Sequence, residues 1–388
     1  MKKIIYTIPQ KLKDPVFSDI LKHHSQHDWD CYFKINQVMG PNISWYSRVG
    51  KNTLPLKDTA VDVLGIAPPK FDPQFNKSFN DITDQRCIEL MNTASDAPWA
   101  VQWSGGLDST LALAAIIKHF KPADYDRIHV VCNQISIYEN PQFYYRYIEP
   151  NFQVINSTYC NPAEDFCRNY YVITGDPGDN CLYSYINANG HIAETTLPSN
   201  FNNVKIDLER DIRADSSGAL DLLTRLSDSK FAQWFYQSVM ENINSVDVPI
   251  KTYHDFFWWI QFNYSWLGVK TLFHVRQTNP NLDPTIPFNR YVPWYDTSDY
   301  QQWAMNNNNT GEKYGTNIGE YKLATKKYIY SVDNNEYYYR FKMKTNSLSR
   351  SVNRKVPEWF CLLDDFTVLH IEKDLEQILS LLPEHIVS

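Results

Sequence analysis

The sequence predicts an α/β protein built on a doubly wound, mainly parallel sheet, with a small N-terminal region and a helical C-terminal extension. Three observations carry this reading. Short apolar runs of strand length alternate with helical stretches in the middle of the chain. Those runs are continuous rather than alternating, as parallel strands covered on both faces are. The first of them ends in a glycine turn that opens directly into a helix, Ser104-Gly105-Gly106-Leu107-Asp108-Ser109. The divisions that follow are residues 1–80 of unassigned fold, an α/β core over 81–204, and a mostly helical part over 205–388.

The elements follow in order. Lys3 to Thr7 is a short strand candidate, and Pro41, Pro55 and Pro68-Pro69 punctuate what comes after it. Asn80 to Ser95 reads as a helix capped by Asp81 or Thr83, with Ile82, Cys87, Ile88 and Met91 on its apolar face. Pro98 to Trp103 supplies the first strand, and Thr110 to Phe120 is strongly helical. Ile128 to Cys132 is the second strand, Gln142 to Ile148 a short helix, and Phe152 to Ile155 the third strand. Pro162 to Asn169 reads as a helix and Tyr171 to Thr174 as the fourth strand. Leu220 to Leu226, Phe231 to Ile243 and Tyr253 to Trp266 show apolar residues at helical spacing. The aromatic third segment reads as a buried helix rather than a ligand cage. Pro280 to Pro284 and Asn306 to Asn309 read as loops.

Bulk properties narrow the class. At 388 residues and 43% hydrophobic content, the chain is long enough for a large core. A net charge of −7 gives no basic footprint for nucleic acid. Lys322, Lys326, Lys327, Arg340, Lys342, Lys344, Arg350, Arg354 and Lys355 cluster late in the chain and read as a solvated surface. The seven cysteines lack framework or Cys-x-x-Cys spacing, which suggests reduced thiols and argues against a zinc site. No leader peptide and no apolar run of membrane-spanning length is visible, so a cytoplasmic protein is expected.

The Ser104–Ser109 stretch carries the chemistry. Adjacent glycines permit a tight turn with amide N–H groups pointing inward, and the helix after it adds free N–H groups and its positive dipole end. The hydroxyls of Ser104, Ser109 and Thr110 can donate further hydrogen bonds. Such a turn suits phosphate, and Asp108 within it suggests a magnesium ion bridging to that phosphate. The pattern is neither Walker A nor the dinucleotide fingerprint.

Taken whole, Ser-Gly-Gly-x-Asp-Ser between strand and helix resembles the loop of the ATP pyrophosphatase superfamily. That resemblance implies an adenine-nucleotide alpha-hydrolase-like core, with ATP and Mg2+ as cofactors. It implies that Ser104, Gly105, Gly106, Leu107, Asp108 and Ser109 cradle the phosphates. A second stretch, Gly175-Asp176-Pro177-Gly178-Asp179-Asn180, looks like the Gly-x-Gly-x-Asp-Glu loop of the asparagine-synthetase branch. Gly175 matches its first glycine and Asp179 its metal-binding aspartate, making Asp108 and Asp179 the implied metal pair. Asn180 stands where the family has glutamate.

Two later segments extend the likeness. Thr285-Ile286-Pro287-Phe288-Asn289-Arg290, followed by Trp294 to Trp303, is similar to the Glu-x-Arg-x-Pro-Phe-Leu-Asp segment and its following helix. Asp283 falls at the glutamate position, as a general base, an amine ligand or a loop cap. In the family a lysine on a helix beyond this segment reaches the α-phosphate. Lys326 or Lys327 fits that place, with Lys322 as a further candidate. The resemblance implies a ligase that adenylates a substrate carboxylate, releases pyrophosphate, and forms an amide with ammonia or an amine. Lys2 stands where a glutaminase domain would carry its cysteine nucleophile. Ammonia, an amine or a separate nitrogen-donor protein is therefore the implied partner. Modification of a nucleobase or tRNA base, and non-catalytic ATP binding, stay open as alternatives.

Overall fold

The computed structural model describes residues 47–49, 67–157, 169–182, 211–226, 229–266, 290–307, 311–314, 322–342, 360–362 and 368–370. The strand expected at Lys3–Thr7 and all but the last residue of the helix expected at Pro162–Asn169 lie outside them. The chain packs as two compact units, each assembled from separated pieces. One holds Lys77–Asp176, Gln277–Asp296 and Leu323–Ser388; the other holds Met1–Asn76, Pro177–Arg276 and Thr297–Lys322.

The first of these is a sheet unit. Besides a separate antiparallel pair, Phe360–Leu362 and Val368–His370, its strands are β1 (Trp99–Gln102), β2 (Ile128–Cys132), β3 (Gln153–Asn156), β4 (Tyr171–Thr174) and β5 (Tyr291–Pro293); these five make the main sheet. They form one sheet in the order β3-β2-β1-β4-β5, and every neighbouring pair is parallel. This is an α/β unit with the parallel sheet expected. β1 lies at the centre, and Trp99, Ala100 and Val101 are completely buried. The chain leaves β1 to build β2 and β3 on one side, then returns to build β4 and β5 on the other. The gap between β1 and β4 is therefore the topological switch point, where open α/β sheets hold ligands beyond the strands' carboxyl ends.

β5 was not among the strands read from sequence. Three residues ending in proline are too short to show a period. Pro293 is tolerated because β5 is an edge strand, where a missing N–H breaks no ladder bond. The chain after it stays attached to β4: Trp294 donates its N–H to Thr174 O at 2.8 Å, and Tyr295 to Asp176 O at 3.1 Å. The expected helix thus begins at Ser298 rather than Trp294, capped by Thr297, which accepts from the Tyr300 N–H.

Helices of the sheet unit are α1 (Phe79–Thr93), α2 (Leu107–His119), α3 (Gln134–Glu139), α4 (Leu323–Asp333) and α5 (Glu336–Phe341). The cap of α1 is Ser78, which accepts from the Asp81 N–H at 3.1 Å. Asp81 instead accepts the Ser78 hydroxyl, and Thr83 is buried, bonded back to Phe79 O. α2 is buried nearly all round, since Leu111 to Ile116 are at most 1% exposed. α4 packs on both α1 and α2. One polar knot ties these three helices. Asp84 of α1 accepts from Lys118 Nζ at 2.6 Å and from the Tyr328 hydroxyl, and it bonds His119 Nε2 at 2.8 Å.

The other unit is helical, with helices at Gly178–Leu182, Ser217–Leu226, Ser229–Asn244, Tyr253–Ile260, Ser298–Asn306 and Gly311–Tyr314. Tyr253–Ile260 is buried along its whole length and runs into a π-helical turn, Gln261–Ser265. The aromatic segment is therefore a core helix. Each of its large side chains contributes about 1.5–3 kcal/mol on burial. Trp258 Nε1 donates to Cys181 O at 3.0 Å, and Lys313 Nζ sits 3.3 Å from the Trp258 ring centroid while donating to Ala304 O. Burial drives the Lys313 pKa well below its ordinary value, against the attraction of Asp255. Among the described residues no helix is long and apolar enough to cross a membrane.

Candidate functional site

The site is built where β1 meets α2. Trp103 continues β1, donating its N–H to Val131 O at 2.9 Å. The chain then turns through Gly105, whose φ of +75° is the left-handed region that favours glycine. Space demands glycine there as well: a Cβ would stand 2.2 Å from Ser136 O and 2.7 Å from Glu139 Cβ. Gly106 is the N-cap of α2 and offers no capping side chain. The first N–H groups of this 13-residue helix thus face the turn without a side-chain acceptor from their cap.

Serines brace the turn. Ser104 donates its N–H to Ser109 Oγ at 3.0 Å, and the two hydroxyls are 3.0 Å apart. Ser104 is exposed, Gly106 and Asp108 are half-buried, and Ser109 is buried. Thr110 is turned inward instead of toward the turn. It is completely buried, and its Oγ1 accepts from Trp103 Nε1 at 3.0 Å. Leu107 is likewise a core residue.

β4 closes the other side. A Cβ on Gly175 would stand 2.6 Å from the Ser109 nitrogen and 2.9 Å from Asp108 Cβ, so the end of β4 lies directly on the first turn of α2. The Gly175–Asp179 stretch is not one loop. It turns at Asp176-Pro177 and becomes the helix Gly178–Leu182 of the other unit.

Three residues that sequence reasoning did not place at the site are brought to it. The Tyr338 hydroxyl donates to Gly105 O at 2.9 Å. Burial first, and then the charge of Glu139, hold that phenol well above its ordinary range. Glu139, the last residue of α3, has its Oε1 3.5 Å from where a Gly106 Cβ would be. Lys342, at the end of α5, donates from Nζ to Glu139 Oε1 at 2.6 Å, with both side chains under 10% exposed. Glu139 ends a helix that was not read from the sequence; it starts where β2 stops. Lys342 stood in the basic cluster read as solvated surface.

That reading of the cluster is corrected. Lys322, Lys326 and Lys342 are 2%, 1% and 9% exposed. Lys327 and Arg340 are exposed, Arg340 pairing with Glu336 one helical turn away. Lys326 and Lys327 both belong to α4 of the sheet unit. Asp179 belongs to the helical unit, where its Oδ1 accepts from Lys322 Nζ at 2.7 Å. Asp108 and Asp179 thus fall in different units. Asp283 and the Thr285–Asn289 stretch lie outside the described residues.

Comparison with known proteins returned nothing: no family model, no curated protein and no solved structure matches the chain.

Proposed function

We propose that the Ser104–Ser109 turn holds the phosphates of ATP, and that the protein is an ATP-dependent ligase that adenylates a carboxylate. One observation carries the reading. A glycine turn with a left-handed Gly105 and a helix N-terminus lies at the carboxyl end of the central strand, beside the switch point, where a buried lysine also stands. These residues fit a polyphosphate: the first turn of α2 offers backbone donors, Ser104 an exposed hydroxyl, and Gly105 leaves no room for a side chain, while the Lys342 ammonium stands on Glu139 beside Gly106.

ATP supplies the adenylyl group: a carboxylate oxygen bonds to the α-phosphorus, the bond to the β-phosphate oxygen breaks, and pyrophosphate departs. Ammonia or an amine then displaces AMP and forms the amide. The chain's part is positioning and charge. The α2 N–H groups and Ser104 hold phosphate oxygens, and Lys342 balances negative charge. Among the described residues no group of three or more His, Cys, Asp or Glu stands ready to hold a metal. Magnesium would therefore come with the triphosphate, and Asp108 is the carboxylate on this turn that would ligate it.

Pyrophosphate release, measured across amino acids and other carboxylates with ATP and magnesium, tests the assignment. Asp108→Ala should lose about a hundredfold or more in rate; a variant that releases pyrophosphate at the wild-type rate overturns the assignment. Non-catalytic nucleotide binding is the second reading. The observation favouring it is Asp179, an expected metal ligand that instead carries Lys322. ATP binding without turnover on any acceptor would select it.

A further inference from the structure

The Glu139–Lys342 pair sits in an unusual place for a carboxylate. The turn beside it carries the positive end of α2, whose cap supplies no side-chain acceptor. Glu139 occupies that field as a resident anion, its Oε1 against Gly106 and its charge balanced at 2.6 Å by Lys342. Neither group is a surface ornament, for their side chains are 6% and 8% exposed. A buried carboxylate and ammonium lose much hydration, and their mutual attraction offsets part of that loss.

The surroundings hold the pair in place. Glu139 ends a helix that starts with a reciprocal cap between Asn133 and Ser136, and Ser136 O is the atom that denies Gly105 a Cβ. Lys342 closes α5, its N–H bonded to Tyr338 O at 3.1 Å, and the Tyr338 hydroxyl is fastened to Gly105 O. Carboxylate, ammonium and turn are therefore fixed to one another through short, buried segments of the same unit.

We propose that Glu139 is a built-in counter-anion that the incoming polyphosphate displaces from Lys342. The exchange is of ionic partners at one ammonium; no covalent bond changes. Glu139 acts as a positioning residue. It holds the Lys342 ammonium at 2.6 Å beside the turn before a ligand arrives, and it sets an electrostatic threshold that only a multiply charged anion overcomes. A single carboxylate or a monovalent anion gains too little from the exchange, so the device selects for polyphosphate. The inference rests on the phosphate reading of the Ser104–Ser109 turn.

The experiment is calorimetric titration of the full chain with inorganic pyrophosphate, without added metal, on wild type and Glu139→Gln. The amide can still accept from Lys342 but no longer repels phosphate. Glu139→Gln should bind pyrophosphate about tenfold or more tighter than wild type, while inorganic monophosphate gains less. Equal or weaker binding by a folded Glu139→Gln overturns the inference and leaves the phosphate reading standing. No pyrophosphate binding by either protein overturns both. Should Glu139→Gln fail to fold, crystals of wild type soaked in pyrophosphate decide. The expected result is Lys342 Nζ on a phosphate oxygen and away from Glu139 Oε1. Pyrophosphate seated on the turn with the Lys342–Glu139 contact intact contradicts the inference.

Discussion

Gly175 and Ser109 are in backbone contact: a Cβ on Gly175 would stand 2.6 Å from the Ser109 nitrogen. This single approach joins the end of β4 to the first turn of α2 and defines the mouth of the switch point. Gly175→Ala should therefore cost about 1–3 kcal/mol, because backbone rather than a flexible side chain must yield. Gly105→Ala should cost at least as much, since it adds about 1–2 kcal/mol of left-handed strain to the overlap with Ser136 O. Urea denaturation of both variants checks this, and variants as stable as wild type would refute the described turn.

Asp333 gives the chain a pH-dependent term. It is 2% exposed, one carboxyl oxygen accepts from the Asn335 N–H at 2.9 Å, and the other has no hydrogen-bond partner. Burial, opposed by the Asn335 bond and by Arg146, raises its pKa to about 6. The raised acid holds its proton longer in the folded chain than in the unfolded one. Its contribution to stability is therefore largest in acid and is lost as pH rises from about 4 to about 6. Asp333→Asn keeps an acceptor for Asn335. It should remove that slope and raise stability at pH 7 by on the order of 1–3 kcal/mol. Thermal melts of both proteins between about pH 4 and 7 check it; parallel curves would contradict the assignment.

Lys322 tests a different strain. Its φ is +54°, its side chain is 2% exposed, and its ammonium holds Asp179. Lys322→Gly and Lys322→Ala both remove the ion pair, but glycine relieves the left-handed backbone. The glycine variant should be the more stable by about 1 kcal/mol, read from urea midpoints. An alanine variant of equal or greater stability would count against the left-handed geometry.

Much of the sheet was legible because its evidence is local. β1, β2, β4 and the helix after the glycine turn each carry a continuous apolar run or a helical period, and Gly105-Gly106 marks the junction. β5 was hidden by its brevity and by Pro293. The Ser78 cap lay two residues before the stretch read as a helix. The glycine turn itself was readable, because a strand-to-helix turn of this kind is written locally in glycine and serine. Glu139, Tyr338 and Lys342 were not. They reach the turn through tertiary packing of α3 and α5, and a lysine's burial depends on neighbours more than 200 residues away in the chain. The basic cluster was misjudged for the same reason: its composition matched a solvated face, yet three of its lysines are inside.

The central claim is that the Ser104–Ser109 turn binds ATP. Calorimetric titration of magnesium-ATP into wild type and Ser104→Glu tests it most directly. Ser104 is exposed, so the new carboxylate leaves the core alone while placing a negative charge at the turn. One ATP should bind per chain of wild type, with pyrophosphate competing, and Ser104→Glu should weaken binding about tenfold or more. No binding to wild type, or equal affinity in a folded Ser104→Glu, would contradict the account.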